Sequence, residues 1–251
     1  MKVVCARGLS PASRADKSMS ESRDGLRNVF WLGGSPCAGK SSMSEVMARQ
    51  FELDVYHVDE AFERHVQRLE PARQPALAKW CSSSWDERWM QPTGDLLQNV
   101  IACYREHFAL ILKDVLTIAK DKPLLVEGTA LLPRHVAEVL PNRNQAAWVI
   151  AGADFQREHY RRREWARGIV NQCHDPELAF RNWMERDVQF AGWVRAEVTA
   201  LGLRLLEVDG SRSVEENAES IAAYFQLCRN RRSDAATATP PPDNSFDPPD
   251  R

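Results

Sequence analysis

The chain has 251 residues, of which 43% are hydrophobic and 27% charged, and its formal net charge is -2. This length and composition suit one α/β domain with a single core. The near-neutral charge gives no bulk attraction to nucleic acid or to anionic membranes, so we expect neither as a partner. The six cysteines are scattered, without the paired spacing of a zinc site, which predicts reduced thiols and a cytoplasmic location.

The two ends of the sequence lack the composition of a packed domain. Residues 1–27 mix Ser, Arg, Asp and Lys and contain no apolar stretch of the kind that forms a signal peptide or a membrane span. Residues 229–251 are rich in Pro, Asp and Ser and have few apolar side chains to bury. We therefore predict a disordered N-terminal segment and a disordered Pro-rich tail around a domain of residues 28–228.

The first predicted element of the domain is a short buried strand, Asn28 to Leu32, which leads into a glycine-rich loop and then a helix from Ser42. The loop matches the pattern G-x-x-x-x-G-K-S/T, in which backbone N–H groups surround phosphate oxygens. In that pattern the lysine reaches the terminal phosphate and the hydroxyl binds Mg²⁺. A glycine-rich turn without a ligand is the alternative. The predicted nucleotide-binding residues are Gly34, Ser35, Pro36, Cys37, Ala38, Gly39, Lys40, Ser41 and Ser42.

The later strands are predicted at residues 53–58, 124–126, 147–151 and 203–208, and helical segments separate them. The longest of these segments, residues 95–119, repeats apolar side chains at three- and four-residue steps and ends before Pro123. Alternating strands and helices predict a parallel sheet with helices on both faces. In such sheets ligands bind at the carboxyl ends of the strands.

Acidic side chains follow the second and third predicted strands. Asp59-Glu60 follows the second strand and Glu127-Gly128-Thr129 follows the third. One or two carboxylates beside a triphosphate suffice to bind Mg²⁺, and a carboxylate near the γ-phosphate can accept a proton from an attacking hydroxyl. We predict Lys40, Asp59 and Glu127 as catalytic residues, and Ser41 and Glu127 as the metal site. Asp59 has a structural alternative, as the N-cap of a helix that begins at Ala61.

Three tryptophans, Trp80, Trp85 and Trp89, lie within a predicted helical insertion at about residues 60–120. They are interleaved with polar side chains. Such tryptophans can stack on a ring-bearing substrate. They can equally pack a small helical subdomain over the sheet.

The densest basic cluster lies at about residues 157–186, which we predict to be a lid. A helical stretch after Asp154 carries most of the arginines, a loop follows Gly168, and a second helix is predicted to begin at Asp175-Pro176. Arginines that close over a transferring phosphate stabilise its charge. Some of them must be solvated, because they occupy more than one helical face. We favour Arg163 and Arg167 as the clamp among Arg157, Arg161, Arg162, Arg163, Arg167, Arg181 and Arg186.

The glycine-rich loop, the Asp59-Glu60 turn, the Glu127-Gly128-Thr129 strand end and the arginine-rich lid together resemble the P-loop small-molecule kinases of the nucleoside and nucleoside monophosphate kinase superfamily. The resemblance spans roughly Asn28 to Phe225. It implies an α/β P-loop NTPase three-layer sandwich, with a five-stranded parallel sheet of order 2-3-1-4-5 and a helical lid. It also implies ATP and Mg²⁺ as cofactors.

At the matching positions, the resemblance makes Asp59 the base and Glu127 the acid that serves the magnesium. Asp209-Gly210-Ser211, after the last strand, matches the loop that lies beside adenine in such kinases. The loop motif is the specific part of the resemblance. No strict nucleoside monophosphate kinase signature for the acceptor is present in the sequence.

These observations favour transfer of the γ-phosphoryl group of ATP to a small molecule, which would be a nucleoside, nucleotide, metabolite or antibiotic. A GTPase or ATPase switch is a second possibility, but the sequence has neither the Asn-Lys-x-Asp guanine-reading pattern nor the Leu-Ser-Gly-Gly transporter pattern. A nucleotide-binding module without catalysis is a third. Asp59 and Glu127 argue against the module unless both are structural.

Overall fold

Five parallel strands form the centre of the molecule in the computed structural model, which describes residues 23–119 and 122–228. Their order is β2-β3-β1-β4-β5, which confirms the predicted topology of a P-loop NTPase sandwich. The strands are β1 (Val29–Gly34), β2 (Asp54–His57), β3 (Leu124–Glu127), β4 (Ala146–Ala151) and β5 (Arg204–Val208).

Helices connect the strands, as parallel pairing requires. In chain order they are α1 (Lys40–Phe51), α2 (Val58–Gln67), α3 (Pro75–Ser82), α4 (Trp85–Trp89), α5 (Thr93–Ile118), α6 (Pro133–Val139), α7 (Ala153–Arg161), α8 (Glu164–Val170), α9 (Pro176–Ala200) and α10 (Val214–Tyr224). A single 3₁₀ turn, Arg143–Gln145, precedes β4.

The two faces of the sheet carry separate apolar layers. Trp31 and Trp148 point to one face and pack with helices α5, α6 and α9. Leu32 and Val149, the next residues along the same strands, point to the other face and pack with α1 and α10. Successive side chains of a strand point to opposite faces of the sheet. A strand that is apolar along nearly its whole length therefore contributes to both layers.

The strand register brings the chemistry-bearing ends together. Glu127, the last residue of β3, is paired with Leu32 of β1 on one side and with His57 of β2 on the other. Gly34, the last residue of β1, is paired with Val149 of β4. The loop after β1 and the side chains after β2 and β3 therefore share one edge of the sheet.

The predicted disordered ends fall largely on residues 1–22 and 229–251, which lie outside the described residues. Residues 23–27, which we also predicted to be disordered, begin with a helical turn instead, and Leu26 is fully buried. The Gln145 amide donates to the carbonyl oxygens of Leu26 and Arg27 at 3.3 and 2.7 Å. The ordered domain therefore begins before residue 28.

Within the described ranges, no helix is long and apolar enough to cross a membrane.

Candidate active site

The loop after β1 is fixed by its glycines and by β4. Gly34 has φ 131°, and a Cβ atom there would lie 1.8 Å from the carbonyl oxygen of Val149, so only glycine fits. The Ser35 N–H donates to that same oxygen at 3.0 Å, and the Ser35 hydroxyl accepts from the Ala151 N–H at 2.9 Å. The loop is thereby held against the sheet whether or not a ligand is bound.

The loop turns into α1 through two left-handed residues, Cys37 (φ 58°) and Gly39 (φ 77°). Gly39 occupies the N-cap position and contributes no side-chain cap, so N–H groups at the start of α1 are available to an anion. Burial raises the pKa of the Cys37 thiol to about 11, so a neutral thiol lines the loop. These features fit a phosphate group.

Lys40 supplies a buried positive charge to the loop. Its side chain is 7% exposed, and Nζ donates to the Ser35 carbonyl oxygen at 2.8 Å and to Thr129 Oγ1 at 3.3 Å. Burial lowers the pKa of Lys40, while the carboxylates of Glu127 and Asp59 raise it. Both hydrogen-bond acceptors are neutral, so the charge of the ammonium group is not neutralised by a direct ion pair.

Glu127 lies at the centre of the strand edge and is 4% exposed. Its Oε1 accepts a hydrogen bond from the Ser41 hydroxyl at 3.1 Å and lies 2.7 Å from His57 Nδ1. No group of three or more His, Cys, Asp or Glu side chains suited to a metal occurs in the described part of the chain. The Ser41 and Glu127 oxygens instead fit Mg²⁺ that arrives with phosphate and retains water, since that ion needs few protein ligands.

Asp59 lies in the first turn of α2 and faces the same cavity. The helix begins at Val58, with His57 in the N-cap position and no side-chain cap, so the structural alternative of Asp59 as an N-cap is wrong. The Asp59 side chain is exposed to the cavity, but the protein around the carboxylate limits its hydration and so raises its pKa. Lys40 lowers the pKa of Asp59, and Glu127 raises it further. A carboxylate with a raised pKa, open to a cavity, is suited to accept a proton.

A cavity of about 470 Å³ joins these groups. The glycine-rich loop, Asp59 and Glu127 form one wall. The other wall comes from helices α2, α3, α4, α5 and α9 and from the segment of α7 and α8. It consists largely of aromatic and arginine side chains: Phe62, Trp80, Trp85, Arg88, Trp89, Tyr104, His107, Tyr160, Arg163, Trp165, Trp183 and Arg186.

The structure separates the predicted lid arginines into two groups, apart from Arg162, which is exposed and pairs with Glu158 at 2.8 Å. Arg163 and Arg186 line the cavity of the glycine-rich loop, with Arg163 5.5 Å from the Tyr160 ring and Arg186 5.0 Å from the Trp89 ring. Arg167, which we expected beside Arg163, lines a second depression of about 850 Å³. Arg157, Arg161 and Arg181 line that depression too.

The position of Arg167 has a simple backbone cause. Helix α7 ends at Arg161, and Arg163 occupies the N-cap position of the next helix, α8. Arg163 has extended backbone angles (φ -94°, ψ 105°), so the four-residue spacing does not place its side chain on the same face as Arg167, which lies within α8. The predicted restart of a helix at Asp175-Pro176 is confirmed, and the Asp175 carboxylate accepts from the Leu178 N–H at 2.9 Å.

The tryptophans of the insertion both pack and line the cavity. Trp89 stacks on Trp183 of α9 with ring centroids 4.4 Å apart, and Trp80 meets Trp89 edge-on at 5.8 Å. Arg88 lies over both Trp80 and Trp85, at 5.0 and 4.6 Å from the ring centroids. The packing interpretation therefore holds for these side chains, and their remaining surface faces a prospective ligand.

The loop Asp209-Gly210-Ser211 lies at the end of β5 beside α7. A Cβ atom at Gly210, whose φ is 90°, would lie 3.2 Å from the Phe155 ring. The Asp209 carboxylate accepts from the Ser211 N–H at 2.9 Å. The loop lines a shallow depression of about 310 Å³ rather than the main cavity. Its role beside adenine stays a prediction.

Several cavity or site residues were missed by sequence reasoning, among them His57, Tyr104 and His107. His57 is the last residue of β2, and its place at a strand end was the available signal. Tyr104 and His107 belong to the stripe Val100, Cys103, Tyr104 and His107 of α5, whose spacing indicates only a buried face. Nothing in that spacing distinguishes a cavity wall from a core.

No protein-family model matches the chain, and comparison with curated proteins finds no match. Among solved structures the chain is similar to a shikimate kinase from Aquifex aeolicus vf5 (14% identity, TM-score 0.39, 84% of this chain and 99% of that chain). It is also similar to a shikimate kinase from Acinetobacter baumannii in complex with shikimate (11%, 0.42, 81% and 97%). A further similar structure is the NadR protein in complex with NR (11%, 0.38, 88% and 61%). At such identities the activities of these proteins do not transfer to this chain.

Proposed function

We propose that this chain is an ATP-dependent kinase that transfers the γ-phosphoryl group to a hydroxyl or phosphate group of a small molecule. The observation that carries the proposal is the convergence of Lys40, Ser41, Asp59 and Glu127 on one cavity that continues beyond the phosphate loop. The same cavity is also lined by aromatic side chains such as Trp80 and Trp183, which supports a place for a phosphoryl acceptor beside the nucleotide.

The loop and Lys40 hold the triphosphate in the proposed reaction. N–H groups at the start of α1 and the Lys40 ammonium donate to phosphate oxygens, which orients the γ-phosphorus toward the acceptor in the same cavity. Ser41 and Glu127 would hold a magnesium ion bound with the nucleotide, and that ion would supply positive charge against the phosphates. His57, 2.7 Å from Glu127, fixes the orientation of that carboxylate.

Asp59 acts on the acceptor in this proposal. An acceptor hydroxyl that lies between Asp59 and the γ-phosphate donates its proton to the carboxylate as the oxygen attacks phosphorus in line. The bond from the γ-phosphorus to the bridging oxygen of the β-phosphate breaks, and ADP leaves. The raised pKa of Asp59 brings its basicity closer to neutral pH. Arg163, on the open side of the cavity, stabilises charge on the transferring group when the lid at residues 157–186 closes.

We propose a cytoplasmic location, supported by the cysteines in the described part of the chain, all of which are free. The proposed partner is the small-molecule acceptor, and neither nucleic acid nor membrane is proposed. The aromatic wall suits an acceptor with an apolar or ring-shaped part.

The experiment is an acceptor screen with radiolabelled ATP. Purified protein, Mg²⁺ and γ-labelled ATP are incubated with nucleosides, nucleotides, sugars and aminoglycosides, and labelled products are separated by chromatography. The proposal expects label on an organic product with wild type and none with Lys40→Ala. Label released only as inorganic phosphate would favour an ATPase switch, and ATP binding without turnover would favour a non-catalytic module.

A further inference from the structure

A series of polar side chains within hydrogen-bonding distance of one another leads from Asp114, near the end of α5, to the cavity. Asp114 Oδ2 lies 3.0 Å from His65 Nε2, and His65 Nδ1 lies 2.7 Å from His107 Nε2. Tyr56 and Arg68 also donate to Asp114, at 3.0 and 3.1 Å. His65 is fully buried and His107 is 3% exposed. The proposed kinase mechanism uses none of these side chains.

Asp114 is the fixed end of the series and is ionised. Burial alone would raise the pKa of Asp114, but hydrogen bonds from Arg68, His65 and Tyr56 lower it to about 2. An ionised carboxylate only accepts hydrogen bonds. The His65 Nε2 atom lies 3.0 Å from this carboxylate and 3.2 Å from the Tyr56 hydroxyl, which itself donates its proton to Asp114. Nε2 therefore carries a proton, because an unprotonated nitrogen there would place its lone pair against the carboxylate.

The proton on His65 determines the tautomer of His107. Burial lowers the pKa of His65, so this histidine is neutral and its Nδ1 is an acceptor. The group opposite that acceptor is His107 Nε2, which must be the donor in the 2.7 Å hydrogen bond. Burial and the neighbouring His65 lower the pKa of His107 to about 3. A neutral His107 with a proton on Nε2 leaves an unprotonated Nδ1.

The His107 ring is held in place and borders the cavity. It meets His65 and Phe62 edge-on, with ring centroids 4.9 and 5.4 Å apart. Among the described residues, His107 Nδ1 has no hydrogen-bond partner. His107 lines the same cavity as Asp59. The cavity therefore contains a second hydrogen-bond acceptor, His107 Nδ1, in addition to Asp59. His65 and Asp114, which do not line the cavity, keep this nitrogen unprotonated.

We propose that His107 Nδ1 accepts a hydrogen bond from the phosphoryl acceptor, which is consequently a molecule with at least two hydrogen-bond donors. One donor is the hydroxyl that faces Asp59, and the other is a hydroxyl or N–H group that faces His107. His65 and Asp114 are positioning residues that fix the tautomer of His107. The reference to a phosphoryl acceptor rests on the proposed function, whereas the ligand contact at His107 does not.

The tautomer is tested first, on the free wild-type protein. Long-range ¹H–¹⁵N NMR spectra of ¹⁵N-histidine-labelled protein report which ring nitrogen carries the proton. We expect His107 protonated at Nε2 only, and unchanged from pH 8 to pH 5. A proton on Nδ1, or a charged ring at neutral pH, would overturn the proposal.

The ligand contact is tested with phenol as a hydroxyl-bearing ring and toluene as its counterpart without a donor. In the wild type, phenol should move the Nδ1 resonance of His107 and toluene should not. The ratio of the phenol and toluene dissociation constants should change by roughly threefold to tenfold in His107→Leu, the effect of losing one hydrogen bond. His107→Asn, which can place an oxygen acceptor near the Nδ1 position, should retain most of the phenol preference.

His135→Leu is the matched control, because His135 packs against Phe108 behind the cavity. It should leave the ratio unchanged. An unchanged ratio in His107→Leu, or no phenol binding by the wild type, would overturn the proposal, and the wild-type resonance test stands even where His107→Leu does not fold. All of these measurements omit ATP, so their failure would leave the kinase proposal intact.

Discussion

The two walls of the cavity are built in different ways. The phosphate wall is made mostly of backbone: Gly34 fits against β4 because it lacks a Cβ, and α1 presents its uncapped first turn. The opposite wall is made of side chains from helices far apart in sequence, such as Trp89 of α4 and Trp183 of α9, stacked at 4.4 Å. A backbone site binds a chemical group common to many ligands, whereas a side-chain wall selects one ligand.

The largest effect is expected on the phosphate wall. Lys40→Ala removes the cation that meets the phosphates, and turnover should fall by about 10³-fold, the scale of losing one charge-stabilising donor. Steady-state kinetics and thermal unfolding of Lys40→Ala measure this. Lys122→Ala is the control, since Lys122 pairs with Asp54 on the surface. Retention of most activity in Lys40→Ala would contradict the role of the loop.

Asp59 is a side chain of the phosphate wall, in the first turn of α2. Asp59→Asn keeps the shape and removes the base, so transfer should slow by about 10²-fold while ATP affinity changes little. Glu60→Gln, the neighbouring substitution in the same helical turn, should leave the rate unchanged. Equal loss of rate in both variants would indicate an effect of helix charge rather than of a base.

The lid arginines test whether the place of an arginine in the structure determines that it contacts the transferring phosphate, or whether membership of the arginine-rich segment is enough. Arg163 lines the cavity and Arg167 the second depression, although the two are four residues apart. Arg163→Ala should reduce turnover by about tenfold, and Arg167→Ala should leave it within about twofold. The same kinetic assay compares them directly. A larger loss with Arg167→Ala would show that the lid rearranges in the working enzyme.

A separate effect concerns stability on the side-chain wall. The folded protein keeps His107 neutral with a pKa of about 3, whereas the unfolded chain protonates it near its ordinary value. Between these values the unfolded state binds one more proton, so the free energy of unfolding falls by about 1.4 kcal/mol per pH unit below ~6.5 through this group. The free energy of unfolding is measured in urea at pH 7 and at pH 5 for the wild type and for His107→Leu. It should fall less between the two pH values in His107→Leu than in the wild type. Equal losses would contradict the burial of a neutral His107.

The difference between the walls also explains what the sequence could predict. The five strands, the loop and the positions of Lys40, Ser41 and Glu127 follow from local pattern, because parallel strands bring their carboxyl ends to one edge. The sorting of Arg163 from Arg167 depends on where α7 ends, and helix ends are poorly determined by composition. His65 and His107 lie 42 residues apart in the sequence, on two different helices. The spacing of residues within either helix does not predict that the two side chains meet.

The central claim is that the loop binds a magnesium–nucleoside triphosphate complex, and calorimetric titration of Mg²⁺–ATP into the protein tests it most directly. We expect saturable binding at one site in the wild type, loss of most affinity without Mg²⁺ or in Lys40→Ala, and little change in Arg167→Ala. An absence of binding in the wild type, or equal affinity in wild type and Lys40→Ala, would contradict the account.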